Sequence, residues 1–181
     1  MYPLIHSFIQ LTRLDRYGAM FSETEYAIFD TFPTTSGRDT HLNGRVAAAL
    51  TANAPTLLTS GPEIDKIDIL AALVRPESKL LTPTLGLHVP LVAKPGKSDA
   101  VKNFLISALS LVEKEPQTLQ WFAYQKSETE FGIFDTFTTE SGRQAHLNGK
   151  VAAALVQNAD ELLGQPLDIQ EADILAVKVI V

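Results

Sequence analysis

The sequence predicts an α+β protein made of two ferredoxin-like (βαββαβ) units in tandem, with antiparallel sheets packed face to face. Three observations predict it. First, residues 22–74 recur as residues 127–179, with 32 identities in 53 positions and no gap at a constant offset of 105. Only two copies occur and the period is long, so this is a duplicated unit and not a solenoid. Second, the apolar pattern of the later copy reads strand, helix, strand, strand, helix, strand, the split βαβ order. Third, its strands are apolar on both faces. Along Phe131–Phe137, Phe131, Ile133 and Phe137 point one way and Phe134 the other. A sheet covered on one face alternates with polar residues, so a second cover is needed, most simply another sheet.

Taken in order, Leu85–Ala93 is an apolar run closed by the Pro95-Gly96 turn signal, which reads as a strand. Ser98 and Asp99 then offer an N-cap and an acidic first turn. Val101, Phe104, Leu105, Ala108, Leu109 and Val112 follow at helical spacing. Pro116 stops that helix near Glu115. Leu119–Lys126 carries Trp, Phe and Tyr and reads as a strand. The Ser-Glu-Thr-Glu turn joins it to the strand Phe131–Phe137. Ser141-Gly142 opens one continuous helix to about Leu163, and Ile169–Ile180 holds the last strand. The first copy repeats this plan without a counterpart to residues 85–105, hence without its first strand. Leu4, Ile5, Phe8, Ile9 and Leu11 suggest a remnant of its first helix. Residues 75–84 carry two prolines and read as the linker. The units are therefore 1–76 and 85–181.

Composition excludes several classes of function. The 181 residues are 45% apolar and 20% charged, with net charge −6. An acidic chain does not bind nucleic acid or anionic membrane through bulk charge. There is no cysteine, hence no disulfide, thiolate metal site or cysteine nucleophile. The first 15 residues lack a basic n-region and a small-residue cleavage site, and no apolar run approaches ~18 residues. A cytoplasmic location is the expectation. No phosphate loop, dinucleotide fingerprint, nucleophile elbow or metal-spaced histidine pair occurs.

Three stretches, AKPGKSDAVKNFL, LQWFAYQKSETEFGIFDTF and SGRQAHLNGKVAAAL, resemble the antibiotic biosynthesis monooxygenase family of dimeric α+β barrels. The resemblance covers nearly all of 85–181 and all but the front of the first copy. It implies a pseudo-dimeric barrel made by one chain. It also implies a cofactor-independent monooxygenase acting on a quinol-like or polycyclic aromatic substrate. The family also holds haem-degrading relatives and proteins of no known activity. A silent binding or stress-related module and a haem-binding protein with a histidine axial ligand are the alternatives.

The second copy is the better place for a site, because it holds Trp121 and Tyr124 where the first has Arg16 and Ala19. His146 sits at the edge of the apolar stripe of its helix, and Asp135 shares a strand face with Phe131, Ile133 and Phe137. The pair reads either as a strand-to-helix clasp or as a dyad with His146 as base. Asp30 and His41 repeat it. Arg143 opposes the dipole at a helix start, so it pairs with an acid such as Asp135 or binds an anion. Trp121, Phe122, Tyr124 and Phe134 either pack the core or stack on a planar substrate. Asn148 lies on a helix face, at a kink or against a ligand. If catalytic, the site uses His146, Asp135 and Arg143, a small aromatic substrate, no metal and no cofactor. His6 and His88 have no partner near them in sequence and read as exposed or satisfied. An open sheet edge in the first copy favours a homo-oligomer.

Overall fold

Alternating strands that bury both faces leave the chain one stable solution, a sheet curled on itself with helices outside. The computed structural model describes residues 15–179 and has this form. The strands are β1 (Asp15–Met20), β2 (Tyr26–Thr31), β3 (Asp68–Val74), β4 (Leu85–Val92), β5 (Gln120–Gln125), β6 (Glu130–Phe137) and β7 (Gln170–Val179). The helices are α1 (Thr35–Leu42), α2 (Arg45–Leu57), α3 (Ser98–Val112), α4 (Glu140–Leu147) and α5 (Lys150–Leu162). The reading of Leu4–Leu11 as a helix remnant, and His6, lie outside the described residues.

One seven-stranded antiparallel sheet runs β2-β1-β7-β4-β6-β5-β3. Its centre, β7-β4-β6-β5, has the ferredoxin order. The units then interlock, since β1 pairs with β7 and β3 pairs with β5. The molecule is thus an α+β fold of two ferredoxin-like units packed as a pseudo-dimeric barrel. Rings from distant strands meet inside it. Phe29 on β2 stacks on Phe134 of β6 at 4.5 Å and lies 5.4 Å from Phe122 of β5. Only a curled sheet brings an edge strand to the inner face of strands so far along the order.

Strand alternation divides the apolar residues into two cores. The inner one holds Tyr17, Phe122, Phe134, Ala172 and Ile174, with Phe29 against it. The outer one lies between sheet and helices and holds Trp121, Phe131, Ile133, Val101, Leu105 and Val151. Helix α3 buries Val101, Leu105, Ala108 and Val112, the stripe its spacing predicts.

The predicted single helix from Ser141 to Leu163 is two, broken at Asn148-Gly149. Asn148 ends α4 at φ −96°, ψ 6°, its side chain donating to the Gln144 carbonyl, and Gly149 is extended. A Cβ on Gly149 would stand 2.4 Å from Glu115 Oε1 and 2.9 Å from the His146 carbonyl. The glycine is required by this close approach. Gly149→Ala is expected to cost about 1–3 kcal/mol through overpacking. The matched Gly44→Ala, whose Cβ would meet carbonyls at 3.1 and 3.2 Å and no carboxylate, is expected to cost less. Denaturant midpoints of the two variants check this order.

Candidate functional site

The predicted site residues fall on opposite faces of the sheet. Alternation along β6 sends Asp135 outward with Ile133 and Phe137, toward the helices, and Phe134 inward. On β5 it sends Trp121 outward and Phe122 and Tyr124 inward. A single pocket beside Trp121, Tyr124 and His146 is therefore impossible, because the sheet itself separates them. Asn148 is exposed at the end of α4.

The outer group is a buried charge cluster. His146 Nε2–H donates to Asp135 Oδ2 at 2.9 Å, and Nδ1–H donates to Glu115 Oε2 at 2.6 Å, with Thr118 Oγ1 at 3.2 Å. Asp135 is 1% exposed and His146 6%. Burial alone lowers a histidine pKa, but the charge and hydrogen bond of Asp135, joined by those of Glu115, outweigh it and push His146 up to about 10. Burial raises Asp135, and the imidazolium beside it works against that rise. A ring protonated on both nitrogens at neutral pH has no lone pair for taking a substrate proton or for ligating haem iron. The geometry suits a clasp that ties β6 to α4.

Glu115 was missed by sequence reasoning. It lies just after α3, 31 residues from His146, and also accepts from the Val151 amide at the start of α5. No local signal pairs it with His146. Arg143 is buried, but it pairs with Glu140 (2.6 Å) and with Glu171 of β7 (2.9 Å), and Asp135 is not its partner. In the first unit Asp30 binds Arg16 (2.8 Å) and His41 (3.2 Å), all partly exposed. Arg16 occupies the place of Trp121.

The inner group centres on His88, which the sequence reads as exposed or satisfied, and which is half-buried and hydrogen-bonded on both ring nitrogens. His88 lies on β4 between Phe134 of β6 and Gln170 of β7. Gln170 Nε2 donates to Asp168 Oδ2 at 2.6 Å, which turns its Oε1 to His88 Nδ1, 2.8 Å away. This places the His88 proton on Nδ1, so Nε2 accepts the Tyr124 hydroxyl at 2.7 Å. Burial, then the charge of Asp65, pushes Tyr124 up to about 12, so the phenol keeps its proton. Gly132 makes the contact possible, since a Cβ there would lie 2.3 Å from the Tyr124 hydroxyl oxygen. A glycine in mid-strand beside an aromatic strand was the available signal. Phe21 and Phe29 bring further rings to His88 and Tyr124 at 5.9 and 6.1 Å. His88 is half-buried, at the rim of the aromatic interior.

The fold and this inner group define a dimeric-barrel type of α+β protein with a histidine–tyrosine pair at the edge of an aromatic interior. Among solved structures, a protein of unknown function from Nitrosomonas europaea is 47% identical over 55% of this chain and 96% of its own, with TM-score 0.53. The chain belongs to the family of that protein. A candidate monooxygenase from Fusobacterium nucleatum matches 92% of this chain and 77% of its own at TM-score 0.70 and 13% identity. An anthrone oxidase-like protein matches 92% and 78% at TM-score 0.60 and 7% identity. These two likenesses show the fold. No family model and no curated protein matches the chain.

Proposed function

We propose that the chain is a cofactor-independent monooxygenase acting on a quinol-like or polycyclic aromatic substrate at His88 and Tyr124. The observation that carries this reading is the lone pair of His88 Nε2, held by Gln170 toward an aromatic-lined rim. A planar substrate stacks against Phe21 and Phe29, and its acidic proton goes to His88 Nε2 in place of the Tyr124 hydroxyl. The resulting enolate-like anion reacts with O2. One oxygen atom enters the ring as a carbonyl, and the other leaves as water with the two hydrogens that the substrate loses. The two solved relatives of this fold, one a candidate monooxygenase and one anthrone oxidase-like, support the reaction class. The 105-residue repeat supports reading the chain as a duplicated unit that forms in one molecule what two chains form elsewhere in the fold.

A second reading, a silent binding module, is favoured by the filled interior. Tyr17, Phe122 and Phe134 are fully or almost fully buried, and the Tyr17 ring lies 6.0 Å from Phe122 and 5.5 Å from Phe134. Oxygen uptake with a panel of quinols and anthrones separates the two. Consumption of one O2 per substrate, with formation of the ring carbonyl, is expected. Absence of uptake across the panel, together with saturable quenching of Trp121 or tyrosine fluorescence by the same compounds, would establish the binding module instead.

A further inference from the structure

The duplication sets one chemically reactive dipeptide in two surroundings. His-Leu-Asn-Gly occurs at 41–44 and again at 146–149. In Asn-Gly the glycine nitrogen can attack the asparagine side-chain carbonyl, because no side chain on the glycine hinders the approach. Both asparagines are exposed, and both are held in the same way. Each ends its helix at φ −96°, ψ 6°. Each side-chain amide donates at 2.8 Å to a carbonyl of the preceding turn, that of Asp39 for Asn43 and of Gln144 for Asn148. The glycine N–H donates to the histidine carbonyl, at 2.9 Å for Gly44 and 2.8 Å for Gly149. At this ψ the glycine nitrogen eclipses the asparagine's own nitrogen and stands away from Cβ, so a succinimide ring cannot close. Reaction requires the turn to open, and its surroundings set the cost of opening. Here the units differ. Helix α4 buries Gly142, Arg143 and His146, whereas α1 buries no residue. His146 is locked between Asp135 and Glu115, and Glu115 Oε1 also accepts from the Val151 amide just past Gly149. His41 meets Asp30 at 3.2 Å in a partly exposed group. The atoms nearest the Cβ position of Gly44 belong to Thr40 and His41 of its own helix, where Gly149 meets Glu115.

We propose that Asn43 is a site of spontaneous deamidation, and that Asn148, in the same local sequence, is protected from it by the buried clasp of the second unit. In the reaction Gly44 N bonds to Asn43 Cγ and gives its proton to solvent, and the side-chain nitrogen leaves as ammonia. Water then cleaves either C–N bond of the succinimide, which leaves aspartate or isoaspartate. No oxidant or reductant takes part. The new carboxylate stands at the C-terminus of α1, where the helix dipole disfavours an anion. The amide donor to the Asp39 carbonyl is lost in either product. Isoaspartate also lengthens the backbone by a methylene within the turn that joins α1 to α2. The modification therefore loosens the helix pair of the first unit and leaves that of the second as it is.

The test is peptide mapping of the full chain after incubation at mildly alkaline pH, once native and once unfolded in urea. Trypsin cuts after Arg38, Arg45, Arg143 and Lys150, so the two sites fall in separate peptides of equal length, 39–45 and 144–150. Mass and retention time distinguish the amide, aspartate and isoaspartate forms of each. In the native chain Asn43 is expected to convert at least roughly ten-fold faster than Asn148, the ratio given by about 1.4 kcal/mol of difference in the cost of opening. In urea the two rates are expected to agree within about two-fold, since no fold then separates them. His146→Gln, verified as folded by circular dichroism, is expected to raise the native Asn148 rate several-fold and to leave that of Asn43 unchanged. Native conversion of Asn43 no faster than that of Asn148, or the same ratio in urea as in the native chain, would overturn the proposal. So would an Asn148 rate that His146→Gln does not change, since the clasp would then not be what protects it.

Discussion

Replacing His146 with alanine is expected to cost about 3–5 kcal/mol of stability, because it leaves Asp135 buried and uncompensated. Glu115 loses the same partner and keeps only its long contact to the α5 amide. For a chain of this size the thermal midpoint falls by roughly 10 °C. His41→Ala, at the equivalent place, is expected to cost less than about 1 kcal/mol. Its Asp30 keeps Arg16, and the trio is partly exposed and screened by water. The pH dependence has a definite sign. His146 and Asp135 both bind their protons more tightly in the fold than in the unfolded chain. The stability that His146 contributes is complete below its unfolded pKa of about 6.5 and is lost as pH rises through about 10. Thermal midpoints of wild type between pH 6 and 10.5 are expected to fall with pH, and His146→Gln to flatten that fall. Equal losses in the two alanine variants, or parallel pH curves, would show that the buried pair is not the stabilising element.

His88→Ala is expected to lower oxygen uptake about 10²–10⁴-fold on a substrate that the wild type oxidises, the usual range for a positioned general base. The effect falls on kcat more than on KM, because the stacking rings are untouched. His88 is half-buried, so the variant is expected to fold, and the midpoint of its unfolding verifies this. Tyr124→Phe removes only the hydroxyl that occupies Nε2 in the resting site. It is expected to keep most of the rate, since the Nε2 lone pair that takes the substrate proton is untouched. His146→Gln, compared per folded molecule, is expected to retain activity. If His88→Ala retains full activity while His146→Gln abolishes it, the outer cluster is the reaction centre and the inner assignment is wrong.

Much of the fold was legible because its signals are local. Two-residue alternation placed Phe131, Ile133 and Asp135 on one face and Phe134 on the other, and it separated Trp121 from Tyr124. Helical spacing marked the buried stripe of α3. The site was less legible. His88 stands in Leu-Gly-Leu-His-Val-Pro-Leu-Val as one polar residue in an apolar run, and its partners Tyr124 and Gln170 are 36 and 82 residues away. The helix break was partly legible, since a kink at Asn148 was one reading of the Asn-Gly pair. The same break occurs at Asn43-Gly44, where no carboxylate approaches, so the Asn-Gly pair and not Glu115 carries it.

The repeat and the periodicities by themselves determined the number of units, the order of their elements and the face each strand residue takes. These follow from the backbone geometry of a strand or helix, which a short window of sequence carries. Only the tertiary structure decided which face became the interior, which acids reached His146, and that β2 and β3 are the outermost strands of the sheet among the described residues. Those outcomes depend on how the sheet curls and which strands it joins. That curl is set by the sum of contacts between residues far apart in the chain.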